Sequence, residues 1–167
     1  MDTIETISLR VSELIAKYST SSKSVQYLLC DQYPANKLAY KIINKNMEEY
    51  DLSYGELKTQ STLLANGLKK IGIKKGDRVA TLMGKSKEYI ITLLAIWRLG
   101  AVHVPLFTAF STPAIILRVN GSNSKIGFCD QNQQSKLKPS DDFATNGKLE
   151  VITTASFDQT PNWASRW

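Results

Sequence analysis

The sequence predicts an α/β protein: an N-terminal helix, a β-hairpin, and a β-α-β-α-β segment whose strands run parallel. Three observations predict it. Apolar residues change period along the chain, from helical spacing to short strand-like runs and back. Turn and cap residues stand where the period changes, as at Ser53, Gly72, Ser86, Gly100 and Ser111-Thr112-Pro113. Strand and helix patterns then alternate over short connections, which favours parallel pairing with right-handed crossovers.

The first helix is expected over residues 3–18, where Ile4, Ile7, Val11, Leu14, Ile15 and Tyr18 share one face. Its other face mixes Glu5, Arg10, Glu13 and Lys17. That balance suits docking on a protein body better than lying on a membrane, which calls for a uniformly basic face. A Ser/Thr-rich stretch follows at 19–24, then a short helix around 25–30. Residues 38–43 and 49–53 read as strands joined by the turn-like Asn44-Lys45-Asn46. Ser53 with Glu56 makes a capping box, each satisfying a backbone amide of the other's turn. The helix it opens carries Leu57, Leu64, Leu68 and Ile71 on one side, and Gly72 is placed to end it.

From there the pattern alternates. A strand is expected at 78–83. Ser86 caps a helix at 87–99, apolar nearly all round and so covered on two sides. A strand at 101–106 comes next, then a helix opened by Ser111-Thr112-Pro113, and a third strand at 125–129. Beyond Asp130 the chain becomes polar and turn-rich, with one further strand candidate at 149–153. Trp163 and Trp167 make a terminus that more chain would cover. The expected organisation is therefore a helical segment at 1–34, an α/β body at 35–130, and a polar, poorly ordered tail at 131–167.

Composition narrows the function classes. With 43% hydrophobic and 22% charged residues, the chain has core enough for a globular fold. A net charge of +6 favours anionic partners. Its lysines, however, stand in pairs at turns (Lys69-Lys70, Lys74-Lys75, Lys85 with Lys87, Lys136 with Lys138), a solvated pattern rather than a binding stripe. No RNA-recognition motif, zinc finger or aromatic-studded basic ribbon occurs, so nucleic acid is not an expected partner. Cys30 and Cys129 are far apart in apolar contexts and are expected as buried free thiols. With one histidine, His103, they form no metal-ligand cluster. Asp2 and Glu5, with no basic region before an apolar core, argue against a secretory signal. The longest apolar run, 89–97, is too short to span a bilayer. A cytoplasmic location is expected.

Two motifs invite sharper readings. Gly84-Lys85-Ser86 lies between a strand and a helix, but the P-loop pattern needs a glycine where Val79 stands. A plain turn with a helix cap accounts for all three residues; only the generic helix N-terminus would attract a phosphate. His103 in a strand has no nameable polar partner for general-base work, so a hydrogen bond within or beside the sheet is expected. No GxSxG or HExxH motif is present.

Several blocks in order go further. Leu52-Ser53-Tyr54-Gly55-Glu56-Leu57, Leu64-Ala65-Asn66-Gly67-Leu68 and Gly72-Ile73-Lys74-Lys75-Gly76-Asp77-Arg78-Val79-Ala80 are followed by Leu94-Ala95-Ile96-Trp97-Arg98-Leu99-Gly100-Ala101-Val102-His103-Val104-Pro105-Leu106. A loop with Thr108-Ala109-Phe110, a helix and a strand ending at Asp130 come after them. This stretch, about 35–130, resembles the opening of AMP-forming acyl-CoA synthetases of the adenylate-forming superfamily. His103 and the 107–110 loop look most like those for acetate or other short- to medium-chain acids.

The resemblance implies part of the large domain of the adenylate-forming fold, with 35–130 as an incomplete AMP-binding domain. It implies an acid–CoA ligase that uses Mg-ATP to make an acyl-adenylate and then passes the acyl group to CoA. The first step needs cations and amides gathered round a pentavalent phosphate. In the family these come from a Gly/Ser/Thr-rich loop ending in lysine, a Tyr-Thr-Glu-type segment, an adenosine-binding aspartate and a lysine on a C-terminal domain. None occurs in this sequence, so the chain is expected to be the inactive front portion of such a ligase. In acetate-type relatives the loop after the proline-containing strand and a basic segment after the third strand touch the nucleotide end of CoA. Thr108 and Ala109 hold the loop positions in place of glycines; Lys136 and Lys138 stand near the family's arginines without matching them position for position. The alternative is a stand-alone, non-catalytic interaction or nucleotide-binding module, prone to self-association through an exposed strand edge.

Overall fold

The computed structural model describes residues 3–19, 24–44, 46–138, 140, 142, 149–154 and 165–166. The first helix, α1 (Ile4–Tyr18), is built locally: Thr3 accepts the Thr6 amide, and Arg10 pairs with Glu13. It does not dock. None of its residues is buried, and Ile4 is 84% exposed, contrary to the expectation from its apolar face. The physical reason lies in the body, where both faces of the main sheet are already covered by other elements.

A π-helical turn (Tyr27–Asp31) leads to the hairpin of β1 (Leu38–Ile43) and β2 (Glu49–Ser53). The two strands pair antiparallel, with Lys41 opposite Asp51 and bridging both Asp51 and Glu49. Ser53 and Glu56 form the expected capping box and open α2 (Tyr54–Lys70). Gly72 then takes φ 93°, which lets the Ile73 amide reach the Leu68 carbonyl and the Gly72 amide reach that of Lys69. The same closure recurs after α3 (Lys87–Arg98), where Gly100 has φ 64° and Ala101 bonds back to Ile96. After α4 (Thr112–Ser122) the left-handed position is taken by Asn123, a residue whose short polar side chain tolerates it. Each helix thus stops sharply and feeds a strand.

Those strands are β3 (Arg78–Leu82), β4 (Val102–Pro105) and β5 (Ile126–Cys129), all parallel as expected. The sheet extends further, through β6 (Glu150–Thr153) beside β5 and β7 (Ser165–Arg166) beside β6, in the order β4-β3-β5-β6-β7. Two strands of the 131–167 segment therefore belong to the sheet. Trp163 and Trp167, and the order of the rest of that segment, lie outside the described residues.

Side chains alternate across the sheet with period two. Val79, Ile126, Phe128 and Ile152 face α2 and α3, packing with Leu68, Ala95 and Ile96. Ala80, Leu82, Cys129 and Val151 face the other way, onto Ile115 and Val119 of α4 and Leu137. A third cluster (Cys30, Leu52, Leu57, Ile91, Leu94) joins the hairpin side to α2 and α3. No residue of α3 is exposed, which agrees with its all-round apolar character. No helix among the described residues is long and apolar enough to cross a membrane.

Candidate functional site

The strand order tells where a ligand would sit. The chain steps from β3 outward to β4 on one side, then crosses to β5 on the other. In open parallel sheets the carboxyl ends on either side of such a reversal form a crevice that binds ligands. Here Asp130, just past β5, reaches across to the β3–α3 turn: its Oδ2 accepts the Gly84 amide at 2.7 Å, and its own amide bonds to the Leu82 carbonyl. A Cβ on Gly84 would lie 3.3 Å from that carboxylate oxygen. A phosphate at this turn would meet a negative charge, not a cradle. Ser86 is occupied as the cap of α3, accepting the Tyr89 amide at 3.2 Å. The turn-and-cap reading of Gly84-Lys85-Ser86 holds.

The cationic side of the rim lies past β4. Leu106 is buried and donates its amide to Thr81; a tight turn follows, closed by the Phe110 amide on the Phe107 carbonyl at 2.9 Å. Thr108 and Ala109 are its two corner residues. Ala109 is exposed and Thr108 half-buried. Lys136 reaches this turn from a 3-10 helix (Gln131–Leu137), donating from Nζ to the Thr108 carbonyl at 2.6 Å. That helix is held on the sheet by Leu137, which is fully buried and packs over Gly127. Gln134 adds a hydrogen bond to Thr153 at the end of β6. Thr108, Ala109 and Lys136 therefore come together across 28 residues of sequence. Lys138 lies exposed just past the 3-10 helix, and no hydrogen bond ties it to the turn.

Two neighbours of this turn were not singled out from sequence. Phe110 packs edge-to-face on Phe107, with centroids 5.6 Å apart, and Arg118 of α4 lies over the Phe110 ring at 4.0 Å. The only sequence signal was an arginine on the helix that follows an aromatic-ended loop.

The remaining chemistry-bearing residues are structural. His103 shares a hydrogen bond of 2.7 Å with the Thr81 hydroxyl between β3 and β4, as expected of a histidine within the sheet. Burial pushes its pKa below the ordinary value of 6.5. The folded state therefore binds fewer protons here than the unfolded chain, so its contribution is complete above the unfolded pKa and is lost as pH falls. Unfolding free energy should drop as pH falls below the unfolded value of 6.5 in the native chain and drop less in His103→Gln, measured by urea titration at each pH. Both cysteines are buried and free, and burial pushes the Cys129 thiol up to about 12. Among the described residues no three His, Cys, Asp or Glu side chains gather as metal ligands.

Comparison with known proteins supplies the context for this rim. The family described as AMP-binding enzyme matches residues 29–166. An acetyl-coenzyme A synthetase of Chlorobaculum tepidum is 46% identical over 94 residues, 56% of this chain and 14% of that protein. One from Methanothrix thermoacetophila is 34% identical over 122 residues, 70% of this chain and 18% of its own length. A crystal structure of a Brucella canis acyl-CoA synthetase superposes with a TM-score of 0.86 at 27% identity, over 99% of this chain and 31% of that one. The chain thus spans less than a fifth of the length of these curated relatives.

Proposed function

Because the chain belongs to the AMP-binding enzyme family, we propose that it forms the front part of an acid–CoA ligase and contributes a docking turn for CoA. The whole ligase would activate a carboxylic acid with Mg-ATP to an acyl-adenylate and transfer the acyl group to CoA. One observation carries the assignment of the turn: the 2.6 Å tie between Lys136 and the Thr108 carbonyl, which joins two distant stretches at the carboxyl end of the sheet. A lysine ammonium has three donors. One is used on Thr108, and two remain for the anionic nucleotide end of CoA, with Lys138 free to add a second charge.

The donor set fits CoA better than it fits Mg-ATP. At the β3–α3 turn the Gly84 amide, which a phosphate would use, already serves the Asp130 carboxylate, and the sequence holds no Gly/Ser/Thr-rich loop ending in lysine. We therefore assign this chain no adenylation on its own. ATP–pyrophosphate exchange on the purified chain should stay at the blank level, and measurable exchange with any acid would overturn that assignment.

Calorimetric titration of CoA into the chain tests the turn directly. Lys136→Ala with Lys138→Ala should weaken binding about tenfold, more at low salt than at high salt. Unchanged affinity in the double variant would sink the assignment.

A further inference from the structure

The turn is held at two points by cations that come from different elements. Lys136 ties the Thr108 carbonyl from the 3-10 helix. Arg118 approaches from α4, where its Nη1 donates to the Ala114 carbonyl at 2.8 Å and its Cζ lies 4.0 Å from the Phe110 ring centroid. Neither cation belongs to any of the ion pairs among the described residues. Arg118 therefore spends its guanidinium face on Phe110 rather than on a carboxylate. Phe110 in turn meets Phe107 edge-to-face and donates the hydrogen bond that closes the turn. Phe107 itself is 64% exposed, and Phe110 is partly buried against the core cluster of Leu106, Ile115 and Val119, so Arg118 caps the outer side of a ring whose inner side meets the core.

We infer that Arg118 is a positioning residue of the CoA turn: by covering Phe110 it holds the Phe107–Phe110 closure, and with Lys136 it sets the backbone of Thr108 and Ala109 in a positive field. The inference rests on the proposal that this turn receives CoA. A planar, delocalised cation is needed for the stacking half of the role. Lysine keeps the charge but cannot lie flat on a ring in the same way. Exposed cation–ring contacts are weak one at a time, so the contact adds a modest hold to those of Lys136 and of the Phe110 core packing.

The test uses the full 167-residue chain with Arg118→Met and Arg118→Lys. Because Arg118 is exposed, neither change should alter the melting temperature. Hydrogen–deuterium exchange of the Phe110 amide should speed about two- to fivefold in both variants, and CoA affinity should fall by a similar factor in Arg118→Met and by less in Arg118→Lys. Exchange that stays at the native rate in Arg118→Met overturns the inference, as does faster exchange spread over all of α4. If the native chain binds no CoA while Arg118→Met still speeds exchange at the turn alone, the hold on Phe110 stands and the CoA assignment falls.

Discussion

Phe128→Ala is expected to lower the unfolding free energy by about 3–5 kcal/mol, read from the urea midpoint at unchanged slope. Phe128 is fully buried in β5, which is flanked by β3 and β6. Its ring lies in the cluster formed with Val79, Ile126, Ala95 and Ile96, between the sheet and the α2–α3 layer. Neighbouring backbone cannot fold into the space, because hydrogen bonds hold both flanking strands at fixed spacing. The loss therefore combines the transfer term with a cavity that stays open. Phe128→Leu keeps most of the volume and should cost clearly less. An equal loss in the two variants would mean that the ring matters for something other than filling space.

Arg98→Ala should cost about 3 kcal/mol, near the lower end for breaking a buried pair because both side chains keep some exposure. Arg98 ends α3 and binds Asp31 with both terminal nitrogens, at 2.8 and 2.6 Å. Its Nε donates to Ser61 of α2 at 2.9 Å. One guanidinium so joins the π-turn, α2 and α3, and truncating it strands a carboxylate that is 19% exposed. Arg98→Lys keeps the charge without the fork and should recover only part of the loss. A pH dependence follows. The hydrogen bond from Arg98, and then its charge, hold Asp31 below the usual carboxylate value against the effect of desolvation. The unfolded chain binds more protons at this site, so the contribution is complete above the unfolded pKa near 3.8 and is lost as pH falls through the lower folded value. Arg98→Ala should flatten that acid limb in urea titrations. A limb of unchanged steepness would mean that Asp31 owes its lowered pKa to something else.

What could be read from sequence was local chemistry. The hairpin, the capping box at Ser53, the helix stops at Gly72 and Gly100 and the parallel strands each depend on a few adjacent residues, and each is present. The 3-10 helix at Gln131–Leu137 went unread, since Gln131-Asn132-Gln133-Gln134-Ser135 has no apolar period and Leu137 is the one buried residue in it. The docking of α1 was misjudged because an apolar stripe says that a face wants cover, not that cover is present. Strand order and the Arg98–Asp31 pair were out of reach, for no short pattern links residues 67 positions apart. At the candidate site, Thr108, Ala109, Lys136 and Lys138 came from family resemblance. Arg118 needed coordinates, because its partner is a ring face that leaves no mark on helix periodicity.

The order of the strands also has a consequence during synthesis. β3 ends at Leu82 and pairs first with β4, but its other neighbour, β5, is completed only at Cys129. At ordinary ribosomal speeds that interval is about 2–10 s, far longer than hairpin or helix formation. Through it, one edge of a future interior strand stands open on the nascent chain, with Val79 and Leu82 on the edge where Ile126 and Cys129 will arrive. A stall between residues 83 and 125 would prolong the stage at which this chain is most exposed to chaperones and to misassociation.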